Sequence, residues 1–328
     1  MNTYSQLSTR QAGTAVISAL LIAAVVAVIA AGMLTRQRVF TRSLEAQQCH
    51  AQGRAVLQGG LEASRQLLWA SRQQEVLTRL DQPWARPIRF TSPNVLLGPF
   101  EGRLVDQQGK FNLRNLLTNE RVDVGQLRSF ARLCEMIGID TGLGQRISQR
   151  VIASYPRVMS PPAAGQDTAP SHLASDRPTS AGVARQPLPA TRPMLRTLEG
   201  LRDIQGMNER VLARLEQFVS IIPANTWVNA NTASAEVLAS VVPGLSLSQA
   251  QAVVAERDSG LWFINRGDFV NRLHLPHLSV DGLNVGITSE WFLLQGQARC
   301  DRRRLGINAF LHRPQEQRPQ VIWSRLGV

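Results

Sequence analysis

The chain carries one uninterrupted uncharged segment near its beginning, from Thr14 to Leu34. These 21 residues would span about 32 Å as an α-helix, enough to cross a hydrocarbon core about 30 Å thick. A secretory signal peptide has a shorter apolar region of about 7–15 residues, with a small-residue cleavage site behind it. Here the small residue, Gly13, stands before the apolar run and no such site follows. The segment is therefore predicted to stay in the protein as a membrane anchor.

The stretch from Arg10 to Gly13, followed by this apolar segment, resembles the leader of type IV prepilins. The resemblance implies that a prepilin peptidase cuts after Gly13, leaving Thr14 as the new N-terminus, open to N-methylation. Most members carry a glutamate at the fifth mature position, which pairs with the N-terminal amine of a neighbouring subunit; here that position is Ser18. Because a buried carboxylate is costly unless paired, a subunit with Ser18 need not dock beneath another in this way. The alternative is an ordinary signal anchor with a chance glycine.

Composition sets only broad limits on function. A chain of 328 residues suggests two folded units besides the anchor. The net charge of +12 comes from 36 basic residues, of which only Lys110 is a lysine. The arginines are scattered along the chain, so the charge identifies no anionic partner. Three distant cysteines, Cys49, Cys134 and Cys300, argue against a zinc or thioredoxin-like site. One disulfide and one free thiol are expected in the periplasm, with the connectivity left open.

The charges beside the anchor and the prepilin-like leader predict opposite sides of the membrane for the C-terminal part of the chain. Arg10 precedes the segment, whereas Arg36, Arg38 and Arg42 follow it. Counting these charges would place the C-terminal bulk in the cytoplasm. The leader implies the periplasm, and we favour it because flanking charge governs the translocation of large domains less. We expect a single-pass protein of the inner membrane.

Beyond the anchor, the absence of proline up to about Leu80 predicts one long helix, half in the membrane and half packed on a soluble domain. Gly59-Gly60 would let a strand or another helix approach closely, with a slight bend as the alternative. Pro83 and Pro87 are predicted to end the helical stretch. The apolar stripe of the stem is Phe40, Leu44, Ala51, Ala55, Leu67 and Leu68.

The remaining pattern predicts a mixture of helices and strands. A hairpin is expected from Glu101 to Leu113 around Gln108-Gly109, and helices over Asn119–Val151 and Leu195–Pro223. Thr232 or Ser234 would cap a further helix. Residues 156–193 are poor in large apolar side chains and are predicted to be a mobile loop. Three strands are expected near the C-terminus: Glu290–Gly296, Leu305–Leu311 and Val321–Arg325.

Three segments resemble the minor pseudopilin family GspK of type II secretion: Asp106–Leu116, which contains Asn112 and Leu113; Leu198–Met207; and Asn229-Ala-Asn231-Thr232-Ala233. The resemblance implies an α+β fold with a long N-terminal transmembrane helix and a pilin-like antiparallel sheet domain. A large all-α domain of helix-hairpin-helix or SAM-like type would be inserted in it. The expected division is 1–13 leader, 14–34 transmembrane helix, 35–115 stem and hairpin, 116–283 insert, and 284–328 final strands.

The same resemblance implies the function. The chain would stand at the tip of the pseudopilus, help to initiate or cap its assembly, and serve the export of folded periplasmic proteins. Expected partners are minor pseudopilins of the GspI and GspJ type, the prepilin peptidase and the inner-membrane secretion platform. The family carries an acidic stretch within the expected loop, but here only Asp167 and Asp176 remain. Calcium therefore stays open, with its ligands unknown.

A DNA-binding function is the alternative. Asn231 to Phe263, with Pro243-Gly244 between two short helices, also resembles a helix-hairpin-helix unit whose backbone N–H groups receive a phosphate. A membrane-anchored DNA receptor of the competence type would fit this pattern. No lysine or arginine stands beside the hairpin, however, which disfavours nucleic acid as a partner. Catalytic motifs and clustered histidines are absent from the sequence, so no enzyme activity is expected.

Overall fold

A computed structural model describes the backbone of residues 10–90, 99–158, 188–300 and 303–327. It describes the side chains of all of these except residues 10–14, 300 and 303. The first element is α1 (Arg10–Gln74), a single helix of 65 residues and thus about 100 Å long. It runs without interruption from the apolar segment into the soluble part, as predicted, but ends at Gln74 rather than near Leu80. At its end, Arg72 Nη1 donates to the carbonyl of Val76 at 2.7 Å.

The strands are short except at the C-terminus. In chain order they are β1 (Ile88–Phe90), β2 (Phe100–Asp106), β3 (Phe111–Asn112), β4 (Leu117–Thr118), β5 (Arg121–Val122), β6 (Val219–Ser220), β7 (Val228–Asn229), β8 (Val285–Gly286), β9 (Trp291–Cys300), β10 (Arg303–His312) and β11 (Gln320–Gly327). The three predicted C-terminal strands correspond to β9, β10 and β11, each longer than expected.

Five of these strands form one antiparallel sheet in the order β1-β2-β9-β10-β11. The soluble half of α1 packs on one face of this sheet. There Leu57 and Leu68 of the helix join Leu104, Phe292 and Leu294 of the strands in one buried cluster. The helix and strands approach most closely at Gly53 and Gly60, which face Leu305 and Phe100. The predicted close approach of a strand at Gly59-Gly60 is therefore confirmed at Gly60.

The predicted hairpin around Gln108-Gly109 is wrong. β2 pairs with β1 and β9, whereas β3 leaves the sheet and pairs in parallel with β6, more than 100 residues later. The chain turns away because Asp106 Oδ1 accepts the backbone N–H of Gln108 at 2.8 Å. Such an aspartate side-chain bond to the backbone two residues on is a turn in its own right.

The described residues between Asp106 and Ser289, here called the helical part, share one hydrophobic core that begins at Phe111. Phe111 and Leu113 thus belong to this core although they precede residue 116; the domain boundary at 116 stays a prediction. The α-helices of the helical part are α2 (Val124–Met136), α3 (Thr141–Ile152), α4 (Glu209–Phe218), α5 (Ala235–Val241), α6 (Leu247–Asp258) and α7 (Arg266–Arg272).

Two long helices predicted from periodicity are each shorter or broken. The one expected over Asn119–Val151 starts only after Asp123, whose side chain caps α2, and stops at Gly138. The one expected over Leu195–Pro223 contains α4 alone as α-helix, with a 3₁₀ turn before it. Gly138 and Gly206 have φ of +68° and +91°, a backbone conformation that no α-helix contains. Capping residues and glycines therefore override the apolar period.

The predicted loop 156–193 lies mostly outside the described residues. At its described ends Arg157 and Leu188 form an isolated antiparallel bridge. Residues 159–187, with Asp167 and Asp176, lie outside the described part of the chain. Among the cysteines, Cys134 is free and buried in α2, whereas Cys49 of α1 is disulfide-bonded.

Candidate functional site

The membrane-proximal half of α1 presents apolar side chains on every side. An 18-residue window of the helix has a mean hydropathy of 2.7 and none of it is buried. Val16, Leu20, Ile22 and Ile29 are each about 60 % exposed. Such a surface requires a membrane or partner helices to cover it. Within it, Ser18 Oγ donates to the carbonyl of Ala15 at 3.0 Å, so this position carries a neutral group satisfied by its own helix.

Gly13 and Thr14 lie in the first turns of α1. Only their backbone is described, so cleavage after Gly13 and modification of Thr14 stay predictions.

Two of the three family segments, Asp106–Leu116 and Asn229–Ala233, contribute residues to a buried polar cluster at the opposite end of α1, which we call the junction. Its members come from the turn after α1, the end of β2, the Asn229–Ala233 loop, the residues just before β9 and the residue directly after β10. Asp106 stands at its centre, where Oδ2 accepts from Ser289 Oγ at 2.6 Å and from Thr232 Oγ1 at 2.5 Å. Burial raises the pKa of the Asp106 carboxyl, and the bonds from Ser289, Thr232 and Gln108 and the charge of Arg313 offset part of that rise. The junction members are Thr78, Asp106, Gln108, Asn229, Thr232, Ser289 and Arg313.

Asn229 ties three parts of the molecule together. Its Nδ2 donates to the carbonyl of Thr78 at 3.1 Å and to Ser289 Oγ at 2.8 Å. Its own backbone N–H donates to the carbonyl of Gln108 at 2.8 Å. Because Thr78 follows α1, Ser289 precedes β9 and Asn229 belongs to the helical part, this one side chain joins stem, sheet and helical part.

Arg313 closes the junction from β10. One Nη donates to Thr78 Oγ1 at 2.8 Å and to the carbonyl of Ser289 at 2.7 Å, and the guanidinium lies 4.8 Å from the ring centroid of Phe292. Its Nε is buried without a partner among the described residues. Burial, with Arg72 nearby, lowers the pKa of Arg313 to about 10, while Asp106 and Glu290 act in the opposite direction. Paired groups of this kind are costly to separate once buried.

Asn231 and Arg257 hold the loop that follows Asn229. Asn231 exchanges two hydrogen bonds with the backbone of Phe263, both at 2.9 Å. Arg257, also buried, donates to the carbonyls of Ala230 at 2.8 Å and Ala233 at 2.6 Å. These bonds place Thr232 against Asp106 and Ala233 in the core, where it is fully buried. Ser234, and not Thr232, caps α5.

The Asp106–Leu116 segment is hydrogen-bonded to the segment that follows β6. Asn112 Nδ2 donates to the carbonyl of Ala224 at 2.8 Å, and Asn112 Oδ1 accepts from Ile222 N at 3.1 Å. Leu113 is buried in the core of the helical part. Asn112 and Leu113 thus support the base of the helical part, whereas Asn229 and Thr232 belong to the junction itself.

The helix-hairpin-helix pattern is confirmed as local structure: α5 and α6 flank a hairpin in which Gly244 has φ of +79°. Two N–H groups of the hairpin are occupied within the protein, since Leu245 N donates to Val242 O at 3.4 Å and Ser246 N to Gln249 Oε1 at 3.0 Å. Arg132 of α2 donates to the carbonyls of Val242 and Leu245. The hairpin therefore serves internal packing, which disfavours the DNA-binding alternative.

No group of three or more histidine, cysteine, aspartate or glutamate side chains that could hold a metal occurs among the described residues. Asp167 and Asp176, the acids that remain from the expected acidic stretch, lie outside them. No calcium site is assigned.

Thr78, Ser289 and Arg313 were not identified from the sequence as site residues. Arg313 gave a weak signal, as a charged residue ending an apolar strand directly before Pro314. The serine and threonine gave none, because their role depends on partners distant in sequence, including each other, 211 residues apart.

Two protein-family models match the chain, both described as type II secretion system protein K. One matches residues 109–224 and the other residues 228–288. Together they cover more than half of the chain and include Asn112, Asn229 and Thr232.

A protein of Pseudomonas aeruginosa named type II secretion system protein K is 26 % identical over 326 residues, covering 97 % of this chain and 93 % of its own. Among solved structures, the GspK-GspI-GspJ complex of the type 2 secretion system of enterotoxigenic Escherichia coli contains a chain with the same fold. The TM-score is 0.58 at 19 % identity, with 86 % of this chain and 98 % of that chain covered.

Proposed function

Because the chain belongs to the family of type II secretion system protein K, we propose that it is the minor pseudopilin at the tip of the pseudopilus. There it helps to initiate or cap assembly and serves the export of folded periplasmic proteins. The anchor places it in the inner membrane with a single pass, and the sheet and helical part lie in the periplasm.

The observation that carries the tip position is where the helical part sits. The junction includes Thr78, four residues beyond the end of α1, so it lies at the end of α1 remote from the apolar segment. We infer that subunits of such a filament stack with their anchors pointing the same way, because each anchor starts in the same membrane. A helical part fixed above the membrane-distal end of α1 obstructs the addition of another subunit above it.

Ser18 agrees with this position. A subunit beneath another would use a carboxylate near its N-terminus to pair with the neighbour's amine, by family resemblance. Here the Ser18 hydroxyl is neutral and bonded within its own helix. The tip is the place where this pairing is not required.

Partners of the GspI and GspJ type are supported by the E. coli complex, in which a chain of the same fold is assembled with GspI and GspJ. We propose that this chain assembles with the corresponding subunits, is processed by the prepilin peptidase and contacts the inner-membrane platform. We assign no catalytic residue and no metal. The division into residues 1–13, 14–34, 35–115, 116–283 and 284–328 is part of the same proposal.

Processing tests the proposal. The chain is extracted from membranes of a strain with an active prepilin peptidase, and its N-terminus is determined by mass spectrometry. We expect a start at N-methylated Thr14, lost in Gly13→Ala. Gly32→Ala is the matched control, because Gly32 lies in the same segment with no heavy atom within 4 Å of an added methyl group. A chain that keeps Met1 in wild type would overturn the proposal.

Assembly provides the second test. Co-expression with GspI- and GspJ-type subunits should yield a complex containing one copy of this chain, placed by electron microscopy of the filament at its end. Finding the chain at regular positions along the filament would contradict the tip assignment.

A further inference from the structure

Three exposed arginines lie on α1 just beyond its membrane-spanning segment: Arg36, Arg38 and Arg42, here called the arginine collar. We propose that the arginine collar binds the headgroups of anionic phospholipids in the leaflet of the inner membrane that faces the periplasm. The inference rests on the proposed function only for the choice of leaflet.

The first argument is height above the membrane. Arg36 follows Leu34 by two residues and Arg42 by eight, which in an α-helix is a rise of about 3 Å and about 12 Å. The headgroup region adds roughly 5–8 Å to each side of the hydrocarbon core. Arg36 and Arg38 therefore lie within this region, and Arg42 reaches back to it along its flexible side chain.

The second argument is charge without internal compensation. All three side chains are exposed, and none makes a hydrogen bond or ion pair with another described residue. The first acidic residue of the chain is Glu45, so residues 1–44 contain arginines and no carboxylate. Elsewhere in the described chain, many arginines are used internally, as Arg257 and Arg313 are.

The third argument is the position of the arginine collar relative to the sheet. Arg42 and Gly60 are 18 residues apart, which is about five helical turns, so both lie on the same face of α1. Gly60 faces Phe100 of the sheet, and Gly53 faces Leu305 near the lower end of β10. Arg42 lies below that level and is exposed. Arg38 and Arg42 are about 40° apart around the helix, so both lie on the side of α1 that packs on the sheet further along the chain.

A guanidinium binds a phosphate with two parallel hydrogen bonds, which a zwitterionic headgroup offers with less net attraction. A basic residue close to an anionic membrane surface contributes about a fivefold increase in binding. Three such residues should give at least a tenfold preference for an anionic over a zwitterionic lipid. The collar also accounts for the three positive charges on the translocated side of the anchor, which the positive-inside pattern disfavours.

The test uses the full chain in a detergent without charge. It is incubated with equal amounts of phosphatidylglycerol and phosphatidylcholine of the same acyl chains, and retained lipids are counted by native mass spectrometry. We expect wild type to retain phosphatidylglycerol at least about tenfold over phosphatidylcholine, with a preference that falls as salt rises. Added inorganic phosphate at the lipid concentration should not displace the lipid.

Variants locate the site. The triple variant Arg36→Gln, Arg38→Gln, Arg42→Gln should retain both lipids equally. The matched control, Arg121→Gln, Arg128→Gln, Arg210→Gln, removes the same charge from exposed positions of the helical part and should keep the preference. Equal retention by wild type, or an unchanged preference in the collar variant, would overturn the inference. A third outcome would also overturn it: wild type retains both lipids equally, and the collar variant no longer binds the partner subunits. The arginines would then contact an acidic protein surface.

Failure of this inference and failure of the proposed function are distinguishable. Lipid retention is measured on the isolated chain, so equal retention leaves processing after Gly13 untouched. An unprocessed chain with a full preference for phosphatidylglycerol would keep the lipid site and overturn the pseudopilin assignment.

Discussion

Phe100 lies so close to Gly60 that a methyl group on Gly60 would be 2.2 Å from the ring atom Cε2 of Phe100. The ring has no room to retreat, since it also lies against Gly102 and Gly296 and stacks on Phe90 with centroids 5.1 Å apart. Helix and sheet therefore meet through one aromatic side chain surrounded by glycines.

This contact predicts opposite effects for two neighbouring substitutions. Gly60→Ala should lower the stability of the sheet part by about 1–3 kcal/mol, because the added methyl overpacks a filled core. Gly59→Ala is the matched control: its nearest atom is Phe90 Cζ at 3.9 Å, so it should gain up to about 1 kcal/mol from helix propensity. Thermal unfolding of the detergent-solubilised chain by circular dichroism measures both. Equal melting temperatures for the two variants would show that Phe100 moves aside.

Asn231 is predicted to be the most sensitive residue of the Asn229–Ala233 loop to loss of its side chain. Asn231→Ala leaves the N–H and C=O of Phe263 buried and unpaired, which should cost roughly 2–4 kcal/mol. The exposed Asn284, whose side chain makes no hydrogen bond with a described residue, provides the comparison, and Asn284→Ala should change stability by less than about 0.5 kcal/mol. Limited proteolysis of the helical part offers a second measurement. Similar cleavage rates for the two variants would contradict the assigned role.

Asp106 predicts a pH dependence of stability. Its pKa is raised in the folded protein, so between the ordinary value of 3.8 and the folded value the native state holds a proton that the unfolded state has lost. The stability contributed by this group is present below pH 3.8 and is lost as pH rises through the folded pKa. Asp106→Asn, which keeps the shape without the charge, should remove that part of the pH dependence.

The measurement is the melting temperature of both chains across the acidic range. Asp81→Asn, at an exposed aspartate of the turn after α1, controls for loss of a negative charge. If the difference between wild type and Asp106→Asn stays constant with pH, the Asp106 carboxyl has the same pKa in the folded and unfolded states, which contradicts the raised pKa.

Lys110, the one lysine of the chain, should react with amine reagents at unusually low pH. Burial lowers the pKa of Lys110 to about 8, with Glu216 and Asp106 opposing that effect, and Nζ donates to the carbonyl of Glu216. Competitive trace acylation read by mass spectrometry should therefore show half-maximal reactivity of the ε-amine near pH 8. Lys110→Arg removes the signal and identifies it. A midpoint above pH 10 would mean that the amine is hydrated.

Local patterns predicted the parts of the fold that local physics governs. The uncharged run predicted the first part of α1, and alternating apolar residues predicted β9 to β11. Ser234 before an apolar run predicted the cap of α5. The structure contains all of these elements. The erroneous hairpin shows where such reasoning stops. β3 pairs with β6 and not with β2. The sequence near Phe111 contains no signal for a partner strand more than 100 residues away.

The candidate site shows the same contrast between local patterns, which the sequence reveals, and contacts between distant residues, which it does not. Asn112, Asn229, Asn231 and Thr232 were identified through resemblance, yet their roles became visible only from contacts with Ala224, Ser289, Phe263 and Asp106. The glycines that break the two overlong helices were present in the sequence. Their significance depended on a positive φ, which the apolar period does not encode.

The bond from Asn229 to the carbonyl of Thr78 has a mechanical consequence. Thr78 lies just beyond the top of a continuous helix of about 100 Å, and Ser289 and Arg313 fix it to the sheet on the other side. A force applied at the membrane end of that helix therefore reaches the helical part through a segment that hydrogen bonds hold on both sides, not through a flexible linker. We expect the helical part to move together with α1 when the helix is displaced along its axis.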